Sequence, residues 1–107
     1  MHKEVDVLLV GSGVMSATLA ALLSELDSNL NMLMVERLSK VAAESSDAWN
    51  NAGTGHAGYC ELNYTPMDAK GKVEIKRALG INAAFEVSLQ FWSYLVEQNL
   101  LPTPQQF

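Results

Sequence analysis

The stretch VDVLLVGSGVMSA, which runs from Val5 to Ala17, determines the predicted fold. Its first half, Val5–Val10, is a nearly continuous apolar run that ends at a glycine. Such a run is typical of a strand that is buried on both faces of a parallel sheet. After the glycines, four leucines recur at helical spacing and therefore share one helix face. They are Leu19, Leu22, Leu23 and Leu26. A second apolar run, Met32–Val35, follows, so strand, turn, helix and strand fit one βαβ unit of about 30 residues.

The glycine turn reads G-x-G-x-x-S, with Gly11, Gly13 and Ser16 at the three defining positions. In a dinucleotide-binding fingerprint the first glycine permits a tight turn, and the second lets a pyrophosphate approach the helix N-terminus. The third position must be small so that helix and strand pack closely, and Ser16 meets that requirement. Glu36 ends the second strand at about the 20-residue distance at which an acid accepts hydrogen bonds from ribose hydroxyls. The constellation favours dinucleotide binding over an ordinary loop with a solvated acid, but it does not distinguish NAD from FAD.

The segment from Arg37 to Lys72 shows no long periodic element, apart from a short helical turn that is expected around Val41–Ser45. A stretch of this length in a compact domain is usually either functional or disordered. Its aromatic residues argue against disorder, and its glycines, amides and hydroxyls are suited to wrapping an extended cofactor. A nicotinamide enzyme usually continues from the second strand into an ordinary helix, so this loop favours FAD. Periodicity returns in a long helix, predicted over Ile75–Gln98, and Asn99 and Pro102 mark its end.

The composition excludes several classes of protein. The chain has 107 residues, of which 49% are hydrophobic, and this fits one small globular domain. The net charge of −5, from twelve acidic and seven basic residues, argues against a nucleic-acid partner. Cys60 is the only cysteine, and His56 and Cys60 alone do not make a metal site, so no metal is predicted. No apolar run approaches the roughly 18–20 residues of a membrane span, and no signal peptide is evident. We therefore expect a cytoplasmic location, with peripheral membrane contact left open.

Three stretches of the chain resemble the N-terminal part of the malate:quinone oxidoreductases. They are DVLLVGSGVMSATLAALL (6–23), MVERLSKVAAESSDAWNNAGTGHAGYCELNYTP (34–66) and INAAFEVSLQFWSYLVEQNLL (81–101). The resemblance covers nearly the whole chain, and it is most specific between Val35 and Pro66. It implies an FAD-dependent enzyme of the tricarboxylic acid cycle that lies on the inner face of the cell membrane. Such an enzyme oxidises malate to oxaloacetate by hydride transfer to the flavin, and quinone then reoxidises the flavin.

The resemblance also implies roles for individual residues. Gly11, Gly13 and Ser16 would hold the pyrophosphate, Glu36 would hold the adenosine ribose, and Arg37 would join the cofactor-binding set. A further group would line the cofactor nearer the flavin: Ser45, Ser46, Asn50, Asn51, Gly53, Thr54 and Gly55. His56 would lie close to the flavin ring, where a structural contact is favoured over a catalytic role as a general base.

The family's chains are several times longer than this one, which sets the predicted domain organisation. The predicted fold class is α/β, as a partial Rossmann-like FAD-binding domain made of the βαβ unit, the long cofactor loop and the long helix. Residues 1–107 would be the N-terminal, truncated part of an FAD/NAD(P)-binding-type domain, without its substrate domain and inactive alone. Two strands with open edges and uncovered apolar faces favour a homo-oligomer. Two alternatives stay open: a nucleotide-binding module of another FAD- or NAD-dependent hydroxy-acid oxidoreductase, and a regulatory nucleotide module without redox chemistry.

Overall fold

The computed structural model of the chain describes residues 4–53, 55–59 and 61–106. Thr54 and Cys60, which the sequence singled out, lie outside the described residues. The chain divides into two compact units, Met1–Gly53 and Thr54–Phe107. Together they contain a two-stranded parallel sheet and two α-helices, which confirms the predicted α/β class at that level.

The first unit contains strand β1 (Val7–Val10), helix α1 (Val14–Leu26) and strand β2 (Met32–Val35). The strands pair in parallel, with Val7 opposite Met32 and Val10 opposite Val35. β1 begins two residues later than predicted. At its start the side chain of Asp6 accepts the backbone N–H of Asn31 at 2.8 Å, and a side chain that bonds the backbone in this way competes with the strand ladder.

Helix α1 ends at Leu26, the last of the four leucines that predicted it. Asp27 donates its N–H to the carbonyl of Leu23 at 2.9 Å, and its carboxylate accepts the N–H of Asn29 at 2.9 Å. This Asx turn leads the chain toward β2. Leu9 in β1 is buried, whereas its neighbours Leu8 and Val10 are exposed by 55% and 77%. The strands therefore keep uncovered apolar surface, as expected of a sheet that has two strands in the described part of the chain.

The second unit is built on helix α2 (Lys76–Glu97), which agrees with the predicted helix within one residue at each end. A short 3-10 turn at Leu62–Tyr64 precedes it, and another lies at Pro104–Gln106. α2 ends at Glu97, and Asn99 two residues later has a φ of 59°, the left-handed conformation that commonly follows the end of a helix. Among the described residues of this unit, Leu95 is the buried hydrophobic residue.

The segment between β2 and α2 has no long regular element among its described residues, which agrees with the prediction. The prediction of a helical turn around Val41–Ser45 is wrong. Ala42 has a φ of 55°, a left-handed value that interrupts right-handed helical geometry. The chain instead makes two successive turns, in which Asp47 donates its N–H to Glu44 and Asn50 donates its N–H to Asp47.

Candidate functional site

The carboxyl ends of β1 and β2 lie side by side, and this arrangement creates the candidate site. Val10 is paired with Val35 at the ends of the strands. Gly11, the next residue, donates its N–H to the carbonyl of Val35 at 2.8 Å. The glycine turn after β1 and Glu36 after β2 therefore start from adjacent points on one sheet edge, which is where ligands bind in open α/β sheets.

The two glycines of the turn are required for different physical reasons. Gly11 has a φ of 90°, a conformation that side chains rarely adopt, and no atom lies within 4 Å of where its Cβ would be. Gly13 has an ordinary φ of −75°. A Cβ at Gly13 would lie 3.0 Å from the hydroxyl of Ser46, closer than such contacts normally are. Gly11 therefore meets a conformational need, and Gly13 leaves room for a neighbour.

Glu36 is bound to the glycine turn by a short network of hydrogen bonds. Its Oε2 accepts the hydroxyl of Ser12 at 2.6 Å and the backbone N–H of Ser12 at 2.9 Å. Its Oε1 accepts the N–H of Leu38 at 2.9 Å. The Glu36 side chain is exposed, while Ser12 is buried. The carboxylate is thus fixed in place although one side of it remains accessible.

The same bonds set the charge of this carboxylate. The hydroxyl of Ser12, then the backbone N–H groups of Leu38 and Ser12, lower the pKa of Glu36 from 4.5 to about 2. Donors that bind the charged form of an acid always act in this direction. Glu36 is therefore an anionic, acceptor-only group at neutral pH.

A loop of residues 37–46 lies beside the glycine turn. Ser46 accepts the N–H of Val14, the first residue of α1, on its hydroxyl at 2.9 Å. Ala42 donates its N–H to the carbonyl of Ser12 at 3.3 Å. Within the loop, Arg37 and Glu44 form an exposed ion pair at 2.6 Å. The turn, the loop and the strand ends enclose a cleft of about 700 Å³.

The cleft presents two kinds of polar group to a ligand. The first N–H groups of an α-helix have no carbonyl partner within the helix, and the helix dipole favours negative charge there. Val14, Met15 and Ser16 form that first turn of α1, and all three line the cleft, with the N–H of Val14 already bonded to the Ser46 hydroxyl. Glu36 lies on the cleft wall as well. This combination suits a ligand that carries a phosphate at one point and hydroxyl donors at another.

The structure brings seven of the predicted cofactor residues together on the cleft wall. They are Gly11, Gly13, Ser16, Glu36, Arg37, Ser45 and Ser46. Asn50, Asn51 and Gly53 belong to the same unit but not to the cleft lining. Asn50 donates its side-chain amide to the carbonyl of Glu44 at 2.9 Å, and Asn51 accepts the N–H of Gly53 at 2.7 Å. These amides shape the loop by bonding its backbone.

The remaining described candidates, Gly55 and His56, lie in the second unit. A Cβ at Gly55 would come within 3.1 Å of the Phe85 ring, so this position also leaves room for a neighbour. His56 accepts the N–H of Gly58 on Nδ1 at 3.1 Å, and its ring meets the edge of Tyr64 at 6.1 Å between centroids. Because Nδ1 is an acceptor, the neutral ring carries its proton on Nε2. Nε2 is then a hydrogen-bond donor, which favours a structural contact over a general base.

Ser12 is the main residue of the site that the sequence analysis missed. It stands at the variable position between the two glycines, where the fingerprint specifies no side chain. The signal that identifies it is a hydroxyl at this position combined with an acid at the end of the second strand. Glu44, the ion-pair partner of Arg37, was also missed, because a loop has no period that relates two opposite charges.

Neither α1 nor α2 is long and apolar enough to cross a membrane. Among residues 4–53, 55–59 and 61–106, no three His, Cys, Asp or Glu side chains are grouped so that they could hold a metal ion.

Comparison with known proteins identifies the family. A profile of malate:quinone oxidoreductase matches residues 3–107. A protein of Hahella chejuensis named "Probable malate:quinone oxidoreductase" is 68% identical over 105 residues, which are 98% of this chain and 21% of the relative. A protein of the same name from Methylobacillus flagellatus is 64% identical over 104 residues, 97% of this chain and 21% of the relative. "Probable malate:quinone oxidoreductase 2" of Pseudomonas aeruginosa is 61% identical over 106 residues, again 21% of its length.

The chain spans about a fifth of the length of the curated relatives it matches. Within that fifth the family profile covers all but the first two residues, including the glycine turn, Glu36 and the loop of residues 37–46. The chain therefore belongs to the malate:quinone oxidoreductase family.

Proposed function

We propose that this chain is the N-terminal segment of the FAD-binding domain of a malate:quinone oxidoreductase, and that the domain has a Rossmann-like fold. The observation that carries the proposal is the Glu36 carboxylate, hydrogen-bonded to Ser12 in the glycine turn at the carboxyl edge of two parallel strands. An acid in this position accepts hydrogen bonds from the hydroxyls of a ribose. The cleft would hold the adenosine diphosphate half of the cofactor.

The residues of the cleft fit this half of FAD. Gly13 precedes the first turn of α1, and its missing Cβ leaves room for the Ser46 hydroxyl. The backbone N–H groups of that first turn favour a pyrophosphate. Gly11 and Ser16 would complete that cradle. Glu36 is anionic, so it attracts the hydroxyl donors of a ribose and repels a ribose phosphate. The site therefore favours FAD or NAD over NADP.

The loop after β2 favours FAD over NAD. The chain enters turns at Arg37–Asn50 instead of an ordinary helix, and these turns lie next to the cleft. We assign Arg37, Ser45 and Ser46 to the cofactor where it leaves the cleft. We assign Asn50, Asn51, Gly53, Thr54, Gly55 and His56 to its course nearer the flavin. In that position His56 would donate a hydrogen bond from Nε2, because Nδ1 is occupied by Gly58.

The names of the relatives supply the proposed reaction. Malate would lose the hydride from C2 and the proton from its hydroxyl and become oxaloacetate, and quinone would accept the electrons. Bound FAD supplies the hydride acceptor. The residues of this chain would bind and orient that cofactor. The groups that position malate would belong to the remainder of a full-length enzyme, so this chain alone would be inactive. Two further expectations belong to the same proposal: this chain alone forms a homo-oligomer, and the full-length enzyme contacts the inner face of the cell membrane from the cytoplasm.

The experiment that tests the proposal uses the full-length protein that contains this segment. Purified protein should carry the visible absorbance of a bound flavin and should reduce a quinone dye when malate is added. Glu36→Ala should lose flavin on dialysis, because each hydrogen bond to a charged group contributes about 1.5–3 kcal/mol. Glu86→Ala, which removes an exposed acid of α2, is the matched control. Protein without flavin, or with bound nicotinamide nucleotide instead, would refute the assignment.

A further inference from the structure

Ser12 makes more bonds across the site than any role of a fingerprint spacer requires. It is 5% exposed, whereas Glu36 beside it is exposed. Its hydroxyl and its N–H both donate to Oε2 of Glu36, at 2.6 and 2.9 Å. Its carbonyl accepts the N–H of Ala42 at 3.3 Å. One buried residue thus joins the glycine turn, the acid at the end of β2 and the loop that follows it.

The number of acceptor sites on Glu36 shows what these bonds leave for a ligand. A carboxylate offers about four lone-pair sites on its two oxygens. Ser12 uses two of them on Oε2, and the N–H of Leu38 uses one on Oε1. The backbone N–H of Arg37 also stabilises the charge, more weakly than these donors. Acceptor capacity therefore remains on the Leu38-bonded oxygen, on a side chain that lines the cleft. The carboxylate is held in one orientation and is not saturated.

Fixing this side chain in advance has a consequence for affinity. A glutamate at a strand end samples several rotamers when nothing holds it, and a ligand that selects one of them binds more weakly by the cost of that ordering. The hydrogen bonds from Ser12 hold Glu36 in one rotamer before the ligand binds. They also hold the acid ionised, because donors to the charged form lower the pKa of Glu36.

We propose that Ser12 is a positioning residue whose hydroxyl fixes the Glu36 carboxylate for the hydroxyls of an adenosine ribose. The inference rests on the proposed function, because the ligand it needs is the ribose of FAD. In this inference the fingerprint has a second determinant of ribose binding. It is the side chain between the two glycines, which orients the acid at the end of β2.

A double-mutant cycle on the full-length protein tests this inference. FAD is titrated into flavin-free wild type, Ser12→Ala, Glu36→Ala and the double variant, and binding is followed by flavin fluorescence. Ser12→Ala should weaken binding by about threefold to tenfold, the cost of ordering one long side chain. The same substitution in the Glu36→Ala background should change the affinity by no more than the experimental error. Ser24→Ala is the matched control, because it removes an exposed serine hydroxyl that bonds the carbonyl of Ala21.

The outcomes separate the inference from the proposed function. Wild type that binds no FAD would refute both. Wild type that binds FAD, with Ser12→Ala unchanged, would refute only the role of Ser12. If Ser12→Ala still weakened FAD binding in the Glu36→Ala background, the role of Ser12 would also be refuted, because its effect would then not depend on Glu36. Ser12→Gly removes the same hydroxyl without a methyl group. It must reproduce the loss, and it serves as the second variant if Ser12→Ala does not fold.

Discussion

Glu36 owes its low pKa to hydrogen bonds and not to burial. Its side chain is exposed, so desolvation acts weakly and in the opposite direction, while the donors on Ser12 and Leu38 stabilise the charge. The folded-state pKa of about 2 lies below the ordinary value of 4.5. A group whose pKa is depressed by folding contributes stability above its unfolded pKa and loses that contribution as the pH falls toward its folded pKa. The window for Glu36 is therefore from about pH 4.5 down to about pH 2.

This sign leads to a prediction for Glu36→Gln in the flavin-free, full-length protein. The variant should have a lower melting temperature than wild type at pH 7, because an amide accepts these donors more weakly than a carboxylate. The difference should shrink as the pH falls through the window, since protonation makes the wild-type side chain neutral as well. Thermal unfolding at several pH values measures it. A difference that is constant from pH 7 to pH 3 would show that charge does not govern this contact.

The contact between Gly13 and Ser46 gives a second prediction at the scale of single residues. A methyl group at residue 13 would lie 3.0 Å from the Ser46 hydroxyl. Gly13→Ala should therefore destabilise the flavin-free protein by about 1 kcal/mol through overpacking. Ser46→Ala should also destabilise it, by about 1 kcal/mol, because the N–H of Val14 loses its acceptor.

The two substitutions should not be additive. In the Ser46→Ala background Gly13→Ala should cost less, because the clashing oxygen is absent, and residues in contact couple in this way. Thermal unfolding of both single variants and the double variant gives the coupling. Ser45→Ala, on the neighbouring residue of the same loop, is the control and should leave the cost of Gly13→Ala unchanged. Strictly additive losses would mean that Gly13 is required for another reason.

These residues also show where sequence reasoning stops. The fingerprint correctly identified Gly11, Gly13 and Glu36 as neighbours, because parallel strands end at one edge and the spacing fixes which residues follow them. It could not assign the room at Gly13 to Ser46, which is distant in the sequence and has no periodic relation to it. It also missed Ser12, because the pattern leaves that position free while the fold buries it.

At the scale of elements, helix α2 contains a glycine, Gly80, that destabilises the helix. Gly80 lies in the first third of α2, is exposed, and has no atom within 4 Å of where its Cβ would be. Glycine in a helix interior costs about 1 kcal/mol relative to alanine, because its backbone loses more freedom on folding. Nothing in the described part of the chain compensates that cost by a close contact.

We therefore predict that Gly80→Ala raises the helix content of a peptide that spans Ile75–Gln98. Isolated helices of this length are marginal in water, so a gain approaching 1 kcal/mol is measurable by circular dichroism. Ala83→Gly, at another exposed position of α2, should lower the helix content by a similar amount. If Gly80→Ala left the helix content unchanged or lowered it, the conformational cost assigned to this glycine would be incorrect.

The elements differ in how well the sequence predicted them. The periodic stretches predicted both helices, and the ends of α2 to within one residue, because amphipathic spacing is a direct consequence of helix geometry. The turns after β2 were only predicted as irregular. The helical turn expected around Val41–Ser45 failed at Ala42, whose left-handed backbone accompanies its bond to Ser12. Contacts between distant residues decide such a loop, and no local pattern reports them.

At the scale of the whole molecule, both units leave large hydrophobic side chains exposed to water. In the first unit Val10 is 77% exposed and Leu8 55%, and in the second Leu62 is 84% and Leu79 59%. Singly exposed hydrophobic residues are ordinary, but a soluble monomer rarely exposes contiguous apolar strands. The relatives are about five times longer than the chain, and in a full-length enzyme further strands and helices would cover β1 and β2.

We therefore predict that this chain alone associates with copies of itself through the open edges and faces of β1 and β2. Light scattering behind a sizing column, at high micromolar concentration, should give a mass well above the 11.7 kDa of one chain. Val10→Lys should shift the distribution toward the monomer, because a charge on an exposed strand opposes edge pairing. Ser24→Lys adds the same charge on exposed α1 and should have a much smaller effect. A monodisperse monomer of wild-type sequence would mean that the chain covers its own strands, and that the apolar faces assigned to missing elements need no partner.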